Sequence, residues 1–193
     1  MSISATDVKK LRDMTGAGMM DAKKALTETN SDFEAAVKYL REKGLADSKK
    51  REDKEANQGT IGDYIHYQQD RAVSGVLVEL ACETDFVAKS EEFKESAKQI
   101  AMHIAAMKPN YLNIEDIPEA KITEEKDIIV KQSENEGKPA EVIEKIVEGR
   151  IISFYKDTVL NEQIFCNPEI YDGKVGTMIE EMSGKLGEKI FIK

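Results

Sequence analysis

The side chains best suited to chemistry in this 193-residue chain are few: Cys82, Cys166, His66 and His103. A Cys–His pair can activate a thiolate for nucleophilic attack, and four such ligands at close spacing can hold zinc. Neither cysteine has a CxxC partner, and Cys82 ends an apolar stretch on the side expected to face inward, so its thiol reads as inert packing. Two cysteines cannot build a disulfide framework and suit a reducing compartment. The 37 Asp and Glu residues offer so many carboxylate pairs that no pair marks an acid–base site. The segment "TGAGMM" (15–20) has too few glycines, and no lysine, for a phosphate-binding loop. No catalytic residue, metal site or cofactor site follows, and a small hydrolase is the weakest functional class.

The residues that call for a role are apolar ones. In "VELACETDFVAKSEEF" (78–93) an aromatic ring, Phe86, follows an acid, Asp85, between an apolar run and the next helical pattern. Strand alternation puts Cys82, Thr84 and Phe86 on one face, which makes Phe86 a core residue. Thr84 and Asp85 are turn-formers that break alternation, which makes it a protruding ring. Both readings stand at this level. A helical wheel anchored on Ala22 puts Leu26 at about 40°, Met19 at about 60° and Met20 at about 160°. Met20 thus points away from the packed face, as an isolated exposed side chain or as an adaptable contact for a partner. Arg12 lies at the rim of the preceding helix, either solvated or flanking that patch. His103 falls at the edge of its helix's apolar stripe and reads as a boundary histidine.

These residues need elements to position them. Ser4 and Asp7 have capping-box spacing, and Val8, Leu11 and Met14 form a stripe. Gly16 and Gly18 favour a turn. A second helix over 19–29 turns Ala22, Ala25 and Leu26 inward. Ser31 and Glu34 form a second capping box for a third helix with Phe33, Ala36, Val37 and Leu40 inside, ended by Gly44 as its C′ glycine. "LADSKKREDKEANQG" (45–59) is a solvated helical extension or a linker. "TIGDYIHY" and "AVSGVLVELAC" make a hairpin, with Val76, Val78, Leu80 and Cys82 on one face and Leu77 and Glu79 on the other. Ser90 caps a helix whose stripe is Phe93, Ala97, Ile100, Ala101, Ile104 and Met107. Helices over 122–135 and 140–153 form a helical hairpin, packed through Ile128, Ile129, Val142, Ile146 and Val147. "TVLNEQIFC" reads as a short strand or extended segment, "GKVGTMIEEMSGKL" as a helix and "EKIFIK" as a final strand. The expected fold is α+β: a three-helix module like ubiquitin-associated domains over 1–45, a charged extension over 46–59, and a small antiparallel sheet covered by helices over 60–193.

Charge and hydropathy narrow the partners. Residues 1–58 carry 12 Lys and Arg against 11 Asp and Glu; the remainder carries 16 against 26. Such an acidic surface repels phosphate backbones, so direct nucleic-acid binding is not expected. No 18-residue apolar run or secretory h-region is present, so no membrane association is expected.

Four segments resemble the elongation factor Ts family. "LRDMTGAGMMDAKKAL" (11–26) is similar to its N-terminal signature and "ETDFVAKSEEF" (83–93) to its central one. "AMHIAAMKP" (101–109) and "EGKPAEVIEKIVEGR" (136–150) follow in the family's order. Ala22 replaces the cysteine usual in the first signature. A single copy of the core motif corresponds to the short form of the family. The resemblance implies a cytoplasmic guanine-nucleotide exchange factor, not an enzyme that makes bonds, which binds elongation factor Tu in its GDP-bound and nucleotide-free states. Residues matching Arg12, Met19 and Met20 would dock on the GTPase. Those matching Thr84, Asp85, Phe86 and Val87 would press beside its Mg²⁺ site, with the Phe86 ring as a wedge, and His103 is a further candidate contact. The short form implies a homodimer built on the core domain, and further strand residues beyond the position of Lys193. Without the resemblance, the alternative is a non-catalytic adaptor that binds partners through its three-helix module.

Overall fold

The computed structural model describes residues 3–193. The elements run α1 (Ala5–Thr15), α2 (Met19–Glu28), α3 (Phe33–Lys49), β1 (Gln58–Gln68), β2 (Arg71–Cys82), α4 (Asp85–Ala88), α5 (Glu91–Met107), α6 (Glu119–Asn135), α7 (Ala140–Thr158), α8 (Val175–Leu186) and β3 (Phe191–Ile192). The strands form one antiparallel sheet in the order β1–β2–β3, and the fold is α+β. Among the described residues no helix is long and apolar enough to cross a membrane. The chain divides into two compact units: Met1–Ile61, Glu79–Glu95 and Met178–Lys193 form the first, Gly62–Val78 and Ser96–Thr177 the second.

The first unit opens with three helices whose ends follow from their sequence. The Ser4 hydroxyl oxygen accepts the Asp7 N–H at 3.0 Å and starts α1. Gly16 ends it at φ 69°, a conformation that costs glycine little. Val8, Leu11, Ala22, Ala25, Leu26 and Ala36 make the buried cluster, with Phe33, Val37 and Leu40 packed against it. Three expectations are corrected here. Met14 is exposed, because it sits in the last turn of α1, where the chain reverses through Gly16. The cap of α3 is Asp32, whose carboxylate accepts the Ala35 N–H at 3.0 Å. Asn30 and Ser31 instead take left-handed φ values of 52° and 67° and close the end of α2. Gly44 does not end α3, which runs on to Lys49; it lies mid-helix, against Gly184 of α8.

The rest of this unit joins the end of β2 to the C-terminal segment. Leu80 pairs with Ile192 and Ala81 with Phe191. The final strand is shorter than expected, Phe191–Ile192, and just beyond it the Lys193 N–H donates to the Glu79 carbonyl at 2.9 Å. Leu80, Cys82, Phe93, Ile190 and Ile192 are buried, as alternation along β2 predicts for Leu80 and Cys82. The Cys82 thiol donates to the Thr84 carbonyl at 3.2 Å, and burial pushes its pKa up, the opposite of an activated nucleophile.

In the second unit, β1 lies so close to α5 that a Cβ on Gly62 would come within 2.3 Å of the Ala97 backbone. Helices α6 and α7 pack on each other and bury Ile129, Ser133, Ile143 and Ile151, while Ile128 and Val142 are exposed, contrary to the expected packing list. Neighbouring helical positions point about 100° apart, so Ile128 cannot share the seam of Ile129. The segment after Thr158 is not a strand: a 3₁₀ turn, Leu160–Glu162, is flanked by single bridges, Tyr111 to Val159 and Ile164 to Lys174. On the hairpin, Ile65, Tyr67, Val73 and Leu77 are all exposed, with Leu77 at 75%.

Candidate functional site

The segment from Glu83 to Ser90 leaves the sheet through one helical turn. Strand β2 stops at Cys82, so the period of two lapses before it reaches Phe86. Thr84 is extended (φ −121°, ψ 153°) and caps α4, with its hydroxyl oxygen accepting the Val87 N–H at 3.4 Å. The helical turn then rotates successive residues by about 100° each. Val87 and Ala88 point into the core, and Phe86 points out, 83% exposed. Ser90 fixes the exit: its hydroxyl donates to the Val87 carbonyl at 2.9 Å and accepts the Phe93 N–H at 3.3 Å. The Lys89 ammonium lies 2.6 Å from the Asp85 carboxylate and holds its pKa below the usual carboxylate value. Asp85 therefore stays ionised at neutral pH.

A carboxylate from elsewhere in the chain, that of Glu188, holds the start of this turn. Glu188 Oε2 accepts the backbone N–H of Glu83 at 3.1 Å and of Thr84 at 3.0 Å, and its Oε1 accepts the Thr84 hydroxyl at 2.6 Å. Glu83 returns the contact by accepting the Lys189 N–H at 2.6 Å, and it also pairs with the Arg51 guanidinium at 3.0 Å. The Lys189 N–H, with Arg51 second, lowers the Glu83 pKa. Sequence reasoning missed these partners. Glu188 and Thr84 are 104 positions apart, and no local pattern links them.

In the three-helix module Met20 is 76% exposed, as the helical wheel predicts, and Met19, which the wheel puts at the edge of the buried face, is 48% exposed. Exposed Met14 adds a third methionine near the same turn. Arg12 is half-exposed and donates to the Asp13 carboxylate at 3.2 Å.

His103 differs from the boundary residue expected. It is wholly buried in the second unit, while Met107 one turn on is exposed. The Cys166 N–H donates to Nδ1 at 3.0 Å, which leaves Nε2 to donate to the Gln163 side-chain oxygen at 3.0 Å. The ring stacks on Phe165 at 5.2 Å. No surface of His103 is available to a partner. Burial holds its pKa below the usual imidazole value, although the Gln163 bond opposes this. A group whose folded pKa is depressed in this way favours the folded state fully above the ordinary value of about 6.5 and loses that contribution as the pH falls through its folded pKa. Urea midpoints should therefore fall between pH 7.5 and pH 5 by more in the wild type than in His103→Gln. Equal slopes would exclude His103 as the titrating group.

Comparison with known proteins agrees with the motif order. The family described as "Elongation factor TS" matches residues 3–193. The chain is 49% identical over 191 residues to elongation factor Ts of Moorella thermoacetica, spanning 99% of this chain and 92% of the relative. It is 50% identical over 193 residues to that of Coprothermobacter proteolyticus, spanning 100% and 95%. With Caldanaerobacter subterraneus elongation factor Ts it shares 50% over 192 residues, spanning 99% and 93%. A full-length match at this identity, together with the ordered signatures on α1–α2 and on the α4 turn, means that the chain belongs to the elongation factor Ts family.

Proposed function

We propose that this chain is the guanine-nucleotide exchange factor of elongation factor Tu in translation. It binds the GDP-bound GTPase, inserts Phe86 beside the Mg²⁺ site, displaces the ion and speeds GDP release. It makes and breaks no covalent bond. The observation that carries the reading is the Phe86 ring, presented at 83% exposure on a turn whose neighbours Val87 and Ala88 are buried. A factor shifts a nucleotide equilibrium only if it binds the distorted state better than the GDP-bound state. A rigid ring that fits only after the site distorts supplies that difference. The coupling is reciprocal, so GDP weakens the factor's hold as much as the factor weakens that of GDP.

The three-helix module over 1–45 docks on the GTPase through Met19 and Met20, with Arg12 at the rim, and residues 46–59 link it to the core over 60–193. Thioether side chains adapt to a partner surface at little steric cost. Met20→Ala should weaken docking by about 1–2 kcal/mol, as a modest hot spot does, measured by calorimetric titration against the nucleotide-free GTPase. Unchanged affinity would return Met20 to the status of an ordinary exposed side chain. The core works as a homodimer, and the exposed hairpin side chains Ile65, Tyr67, Val73 and Leu77 offer apolar surface suited to a second copy. Like its GTPase partner, the protein works in the cytoplasm, and it needs no cofactor, nucleic acid or membrane.

The test is release of a fluorescent GDP analogue from elongation factor Tu in excess unlabelled GDP. Acceleration at substoichiometric amounts is expected. Binding without acceleration would favour an adaptor.

A further inference from the structure

We infer that Glu188 is a positioning residue for the Phe86 wedge, so that the loop leading into β3 sets the exchange geometry from the far end of the chain. The role presupposes the exchange activity proposed above. A four-residue helix cannot hold its own shape, because helix nucleation is unfavourable and α4 adds almost no propagation. Its geometry must be imposed. Val87 and Ala88 anchor one end by burial. At the other end Glu188 accepts three hydrogen bonds from two consecutive residues.

The third of these bonds orients the cap. Because the Thr84 hydroxyl hydrogen points at Glu188 Oε1, a lone pair of Oγ1 is left facing the Val87 N–H. Bonds to a carboxylate are stronger than neutral ones, so the rotamer is well determined. Glu188 is itself fixed. The Ser183 hydroxyl donates to its carbonyl at 2.6 Å, and β3 pairs with β2 just beyond it. The Glu83 carboxylate, bonded to the Lys189 N–H, completes a reciprocal clamp. The clamp and the ring thus belong to one rigid piece, and a misplacement of the order of 1 Å at a working group is known to cost up to about 100-fold in rate.

A double-mutant cycle on the full chain tests this. Glu188→Ala should lower the plateau rate of GDP release about ten-fold with little change in the half-saturating concentration, and Glu188→Gln, whose amide oxygen can still accept both N–H bonds but whose NH2 cannot accept the Thr84 hydroxyl, should recover only part of the loss. In a Phe86→Ala background, Glu188→Ala should cost less than about two-fold, because its effect passes through the ring. Wild-type rates for Glu188→Ala, or losses that multiply with those of Phe86→Ala, would overturn the role. A wild-type chain that fails to accelerate release would instead overturn the exchange reading itself. Amide exchange in the free protein separates positioning from general destabilisation. In Glu188→Ala the Glu83, Thr84 and Val87 amides should exchange faster while those of Leu80 and Ile100 do not. Equal acceleration at all five sites would make Glu188 a structural residue only.

Discussion

Phe86→Ala is expected to reduce the plateau rate of GDP release from elongation factor Tu about 30-fold, the equivalent of about 2 kcal/mol. That energy is what burial of a phenylalanine ring contributes, about 1.5–3 kcal/mol. In the free protein the ring is exposed and collects none of it. It gains burial only where the partner offers a cavity, and on the exchange reading that cavity exists only in the distorted state. The half-saturating concentration should therefore change little, since binding to the undistorted GDP complex does not use the ring. Folding stability should also be unchanged, because the substitution leaves no hole in the core. Stopped-flow release at a series of factor concentrations separates the two parameters. Equal losses in plateau and half-saturation would mean uniform binding, and the wedge mechanism would fail.

Such a ring could not be placed from sequence, for a definite reason. Alternation is a valid guide only while a strand continues, and β2 stops four residues before Phe86. The turn-forming character of Thr84 and Asp85 was visible, but the phase of the following turn depends on Val87 and Ala88 being drawn into the core. Glu188, which fixes the start of that turn, is remote in sequence and was invisible to any local pattern. The inward face of β2 was legible because four apolar residues repeat at a period of two. The three-helix module was legible in its stripes and its Ser4 cap. Its third cap was missed by one residue, since Ser31 and Asp32 are both good capping residues and only the left-handed turn at Asn30 and Ser31 selects the second. His103 was misplaced because a wheel gives a direction, not the depth of cover, and that cover comes from Gln163 and Phe165, some 60 residues away.

Gly44 raises the sharpest conflict between local rule and tertiary contact. Read locally, it is a helix terminator. In the structure it is a mid-helix residue, tolerated despite a cost of about 1 kcal/mol relative to alanine. Within the first unit the close approach falls on Gly184 of α8: a Cβ there would stand 2.5 Å from the Gly44 Cα and 2.6 Å from its carbonyl oxygen, whereas a Cβ on Gly44 would meet the Gly184 Cα at an ordinary 3.8 Å. The obstacle is backbone, which cannot rotate away as a side chain can. Two effects of opposite sign therefore meet in Gly184→Ala. Helix propensity favours alanine by about 1 kcal/mol, while forcing the helices apart costs more, up to about 3 kcal/mol for overpacking alone. We expect the contact to win, with a net loss of about 2 kcal/mol in urea unfolding. Gly149→Ala is the matched control. It too is mid-helix, in α7, but beyond its chain neighbours and its own helix backbone nothing lies within 4 Å of its added Cβ. Only the propensity term operates there, so that variant should gain up to about 1 kcal/mol. Opposite signs at the two positions would establish α3 and α8 as a backbone-to-backbone contact. Stabilisation at both would mean that the helices can part at no cost, and that Gly184 is not what sets their spacing.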